Sequence, residues 1–177
     1  DFSVTGKAPF EGVALAKGKT AAFSLDLMSV IKADRPVSVK SISLEAPVLQ
    51  VIVLKNGQAN YDIALPSDAV AEEAAPTEGY GNLVINLDEY SITDGSLIDE
   101  DHSLDAYVSL SGLNHNGNGN FTIDVYDPDT HTDIGALTVS YGGITYLNEA
   151  RASLDAIFNI DQPNAVYTLK DNKLTLN

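Results

Sequence analysis

The sequence predicts an all-β protein organised as one large curved antiparallel sheet, and three observations predict it. Apolar and polar residues alternate over long stretches, most regularly from Glu149 to Ile160. Clusters of Asn, Asp and Gly punctuate the alternation as turns would. No stretch carries the apolar stripe of a long amphipathic helix. The expected architecture is a meander of hairpins, open as a groove or half-barrel, with at most one or two short helices. With 177 residues and 44% hydrophobic content the chain supports one sizeable core, since a domain of about 150 residues buries roughly 70% of its extended surface.

Taken in order, Phe2 to Gly6 and Thr20 to Leu27 alternate and read as strands, the second with Phe23, Leu25 and Leu27 on one side. Pro9, Gly12 and Gly18 keep the strands between them short or bulged. Met28 to Ala33 has the composition of one helical turn, ended near Arg35-Pro36. The stretch Val37 to Leu65 organises the rest of the chain. Val39 to Glu45 and Val48 to Lys55 are extended runs, and Pro47, with no N–H for a ladder, marks the bend between them. Asn56-Gly57 suits the two central positions of a type I′ turn, which predicts that Gln58 to Ala64 returns against Val48 to Lys55. Val70 to Gly79, rich in Ala and Glu and broken by Pro76, reads as an acidic connector. The chain therefore divides into N-terminal strands and hairpin over 1–66, a connector over 67–80 and a β-meander over 81–177.

In the meander, Leu83, Ile85 and Leu87 form one alternating set; Leu104, Ala106, Val108 and Leu110 a second; Phe121, Ile123 and Val125 a third. Turns are expected at Thr93-Asp94-Gly95, Asn114 to Asn120, Asp127 to Gly135 and Tyr141-Gly142-Gly143. Ala150, Ala152, Leu154, Ala156, Phe158 and Ile160 share one side of a run far longer than the usual strand of about 5–6 residues, so the sheet should be tall. Asp161 to Asn164 turns the chain. Asp171-Asn172 then closes a last hairpin between Val166 to Lys170 and Lys173 to Asn177.

Composition excludes several functions. With 25 acidic against 10 basic residues the net charge is −15, which repels phosphate backbones and argues against nucleic acid as a partner. The absence of cysteine removes disulfides, thiolate zinc sites and thiol catalysis. Trp is absent and aromatics are 7%, so stacking platforms for sugars are scarce. No stretch approaches the roughly 20 apolar residues of a membrane span. The strand-like opening and the closing KLTLN predict a segment of a longer protein.

The sharpest metal candidate is Asp127, Asp129 and Asp133, carboxylates spaced to converge on a hard cation. It lacks the glycine and distal Glu of an EF-hand loop, so it reads as a polar turn. Asp99 to His102 reads as a solvated hairpin tip. His102, His115 and His131 lack zinc-site spacing, and neither a nucleophile elbow nor a phosphate-cradling loop occurs. No catalytic residue, metal or cofactor is predicted.

The hairpin stretch resembles the AsmA family, in which a strand ending Leu-acidic-x-Pro leads into an apolar strand and an Asn/Asp-Gly-x-x-Asn-aromatic turn. Those positions here are Leu44, Glu45, Pro47, Asn56, Gly57, Asn60 and Tyr61. The resemblance implies a non-enzymatic periplasmic segment of a bacterial envelope protein, tethered to the inner membrane through an upstream anchor that is its only membrane contact. It also implies a long β-sheet whose apolar groove binds or transfers lipid acyl chains in outer-membrane biogenesis. The groove candidates are Leu104, Ala106, Val108, Leu110, Phe121, Ile123, Val125, Ala156, Phe158 and Ile160, expected on one side of the sheet. The alternative is a closed β-sandwich whose Asn/Asp/Gly-rich loops bind a protein partner or serve adhesion.

Overall fold

A computed structural model describes residues 1–31, 37–63, 83–121 and 123–177. Its elements are β1 (Phe2–Thr5), β2 (Ala14–Gly18), β3 (Thr20–Leu25), α1 (Leu27–Ile31), β4 (Val37–Glu45), β5 (Val48–Val53), β6 (Leu83–Asp101), β7 (Ala106–Asn120), β8 (Val125–Tyr126), β9 (Asp129–Tyr141), β10 (Ile144–Asp161) and β11 (Val166–Leu176). Asp26 caps α1, its Oδ1 accepting from Met28 N at 2.8 Å and from Ser29 N at 3.3 Å.

The described strands form a single 11-stranded sheet, curved and not closed into a barrel, in the order β1-β2-β5-β6-β7-β9-β10-β11. The remaining strands continue courses already in that path. β3 extends β2 beyond Lys19, both lying antiparallel to the course in which β4 leads into β5 across Ala46-Pro47. β8 lies on β10 just beyond β9, separated from it by Asp127-Pro128. As predicted, Pro47 marks a bend between two runs of one course. The expected meander needs one correction, because β4 and β5 run parallel to β6. Parallel neighbours require a crossover connection, and most of that connection, with the predicted acidic connector, lies outside the described residues.

The turn after β5 departs from the expected type I′. Gly57 alone takes positive φ, at 83°, and the closing bonds run from Gly57 N to Leu54 O and from Leu54 N to Gln58 O, both 2.8 Å. This is a three-residue loop with a left-handed glycine. Among its described residues the returning arm pairs at a single Val53–Ala59 bridge. Asn60 then replaces a strand: its Nδ2 donates to Gln50 O at 2.6 Å, its Oδ1 accepts from Ile52 N at 2.9 Å, and its own N–H donates to Ile52 O at 3.0 Å.

Three predicted turns are strand. Asn114 to Asn120 is the second half of β7, paired with both β6 and β9. Thr93-Asp94-Gly95 is a bulge inside β6, and Asp129 to Gly135 belongs to β9. The last predicted hairpin is likewise one edge strand, β11, with a register shift opposite Ile157/Phe158 in place of a turn. The tips at Gly142-Gly143, with φ of 58° and 75°, and after Asp161 are turns as predicted.

The displaced turn signals align into a crease across the sheet. Lys19 N donates to Glu45 O where β2 gives way to β3. Ala46, at φ 47°, parts β4 from β5, and both ends of the break stay bonded to β6, Ala46 N to Thr93 O and Ser96 N to Pro47 O, each 2.8 Å. Asp94 at φ 52° bulges β6 beside them, Gly112 at φ 61° bulges β7, and a Cβ on Gly112 would sit 3.4 Å from Gly135 Cα in β9. Register shifts in β10 around Ala150, with Glu149 at φ 52°, complete the line. Each bulge bends its strand and adds twist, so a row of them curves the whole sheet.

Candidate functional site

Register assigns every strand residue to one side of the sheet, because directly paired residues share a side. One transverse row runs Ala16, Leu49, Leu97, Leu110, Leu137, Ala150 across six strands, and a second runs Ala21, Leu44, Ile92, His115, Thr132, Leu154, Leu174. A row on the other side, offset from the second by one residue, reads Ser43, Ser91, Asn116, His131, Asp155, Lys173. The sheet thus has one mainly apolar side, interrupted by Asp99 between Val51 and Val108 and by Asp101 between Val53 and Ala106, and one mainly polar side, which also carries Ile52 and Ile98. Among the described residues the buried apolar side chains are only Phe10, Val39, Ala59, Leu87, Tyr126 and Ala156, while the rows above are mostly half-buried. No second β-layer covers the apolar side among the described residues.

Of the groove candidates, Ala106, Val108 and Leu110 on β7 and Ala156, Phe158 and Ile160 on β10 lie on that apolar side. Ala156 is 2% exposed, so it forms floor and offers no contact surface. Leu104 is corrected: it sits in the β6–β7 turn at 59% exposure, because Asp101 Oδ1 accepts from Ser103 N, Ser103 Oγ and Leu104 N and turns the chain there. Val125 is also corrected, since it pairs with Asp161 while Tyr126 pairs with Ile160, which puts Tyr126 on the apolar side. Phe121 and Ile123 lie in the connection before β8 rather than in a strand.

An aromatic cluster at one end of the apolar side escaped the sequence reading. Phe121 lies edge-on to Tyr126 at 5.1 Å and to Tyr90 at 6.0 Å, and Tyr90 lies 5.5 Å from His115. The glycines of NHNGNGN make room for it: a Cβ on Gly117 would lie 2.6 Å from Tyr90 Oη, and one on Gly119 3.2 Å from the Phe121 ring. The asparagines take the polar side, as alternation requires. Burial, and secondarily the nearby His131, hold the His115 imidazole below its ordinary pKa; burial raises that of the Tyr90 phenol. Beside this cluster the ladder between β7 and β9 ends at Gly117–Thr130, so Asn118 to Asn120 part from β8. The gap is an open depression of about 560 Å³ lined by Leu87, Asp88, Asn118, Gly119, Asn120, Ile123, Val125, Tyr126 and Asp127.

The metal candidates are held by neighbouring side chains. Asp127 accepts from Lys170 Nζ at 2.8 and 2.9 Å and from Asn159 Nδ2 at 2.7 Å, which lowers its pKa. Asp133, lowered by Ser153 and His131, lies 2.9 Å from His131 Nε2, whose Nδ1 lies 2.5 Å from Asp155 Oδ1. Asp129 pairs with Ile157 across the ladder. Among the described residues no three acidic or histidine side chains are arranged to hold a metal ion.

Comparison with protein-family models, curated proteins and solved structures finds no match.

Proposed function

We propose that this chain is a non-enzymatic lipid-binding segment whose open apolar sheet side holds acyl chains, in the manner of an AsmA-like envelope protein. On this reading it works in the periplasm, tethered to the inner membrane by a segment outside this sequence, and passes lipid along the sheet toward the outer membrane. The observation that carries it is the mainly apolar side, with rows such as Leu49, Leu97, Leu110 and Leu137 on a single curved sheet and no second β-layer over it among the described residues. Each acyl methylene buried there contributes about 0.8 kcal/mol, so a partly enclosed chain is held without any polar contact. The sandwich reading needs a second sheet, and the described strands all belong to one.

Native mass spectrometry after incubation with a bacterial lipid extract tests the proposal. Added masses matching lipids are expected. Bare protein alone, under conditions that preserve lipid on a known carrier, would overturn it.

A further inference from the structure

Resting on the acyl-chain reading, we infer that His115 makes acyl binding pH-dependent: a chain lying over the mainly apolar side and a proton on this imidazole oppose one another, so acidification weakens the hold on the chain. His115 stands in a transverse row between Ile92 of β6 and Thr132 of β9, with Leu44 and Leu154 beyond them. The side chain is half-buried, its ring 5.5 Å from that of Tyr90 and its Nδ1 2.8 Å from Thr132 Oγ1. An acyl chain following that row covers the ring and removes water that would solvate an imidazolium. The titratable group against His115 on the same side is the Tyr90 phenol, and Asp99 and Asp101 share that side only toward the far end of β6. Asp94, in the β6 bulge, donates its N–H to Asn114 Oδ1 at 3.2 Å. Asp88, Glu89, Asp129, His131 and Asp155 line a depression on the polar side, with Asp133 against His131. Burial, and then the charge of His131, lower the His115 pKa, and among the described residues no carboxylate offsets them. A chain that further disfavours the charged ring must, by linkage, bind more weakly once the ring is protonated. Affinity is therefore full above the His115 midpoint of the free protein, which lies below the ordinary value of about 6.5, and fades as pH falls through that midpoint.

NMR titration of the histidine rings of the full chain, with and without decanol, tests this, because the decanol head does not titrate; displacement of an apolar fluorescent dye reports decanol binding. Bound decanol is expected to lower the His115 midpoint and to leave in place that of His131, on the polar side. Decanol affinity should weaken by at least about threefold as pH falls through the His115 midpoint. His115→Gln, polar but without a titrating ring, should remove that dependence. A His115 midpoint unmoved by bound decanol overturns the inference while the acyl-chain reading stands. Equal falls at His115 and His131, or a pH dependence that survives His115→Gln, overturn it as well, by tracing the effect to overall charge. Failure of decanol to displace the dye at neutral pH defeats the acyl-chain reading itself.

Discussion

At the scale of single residues, Asn60 is 1% exposed and bonds the edge of β5 through both ends of its amide. Asn60→Ala leaves Gln50 O and Ile52 N without those partners, and a group stripped of its hydrogen bond on burial costs about 1–3 kcal/mol. A loss of about 2 kcal/mol is expected, read as a fall in Tm of about 4–8 °C; a change below about 0.5 kcal/mol would show that water replaces the amide. The sequence marks Asn60 as a motif letter, but a side chain imitating a strand leaves no trace in alternation. The pKa values of His131 and His115 are shifted in opposite directions. The carboxylates of Asp155 and then Asp133 raise His131, so its contribution to stability is full below the ordinary value of about 6.5 and fades as pH rises through the raised one. Burial lowers His115, so its contribution is present above about 6.5 and fades as pH falls through the lowered value. An NMR titration should place the His131 midpoint above that of His115; the reverse order would mean the β9–β10 contact is absent in solution.

At the scale of elements, strand identity was legible and strand ends were not. Asp94-Gly95, Gly112 and Gly135 carry the residues of hairpin tips, because a bulge and a tight turn both call for residues that tolerate positive φ. Only pairing partners distant in sequence decide between them. The same ambiguity hid β7: Asn and Gly composition in NHNGNGN spoke for a loop, while the period of two, with asparagines on one side and glycines under Tyr90 and Phe121 on the other, spoke for a strand. The crease yields a prediction in contrast. Gly112→Val places a branched side chain at φ 61° with Gly135 Cα 3.4 Å away, and should cost roughly 1–2 kcal/mol or more. Gly143→Asn, at φ 75° in an open turn with nothing within 4 Å, should cost less than about 0.5 kcal/mol. Denaturant unfolding of the two variants checks the ranking, and equal costs would mean the crease relaxes when Gly112 is filled.

At the scale of the whole molecule, the all-β fold and the tall sheet followed from alternation, whereas the parallel β5–β6 pairing was hidden because it depends on a long crossover without a local pattern. Which side of the sheet a residue takes was legible where alternation was uninterrupted, on β7 and β10, and not where Asp101 and the connection before β8 shift the chain out of phase. What distinguishes the molecule is a sheet with two unlike sides and an apolar one left open among the described strands. The most direct test places a photo-crosslinking residue at Leu110, on the apolar side, or at its neighbour Ser111, which faces the other way. With dioleoyl phospholipid vesicles, the account predicts that the probe at position 110 captures lipid and the probe at position 111 does not. Equal capture at both positions, or none at position 110 in a folded variant, would contradict it.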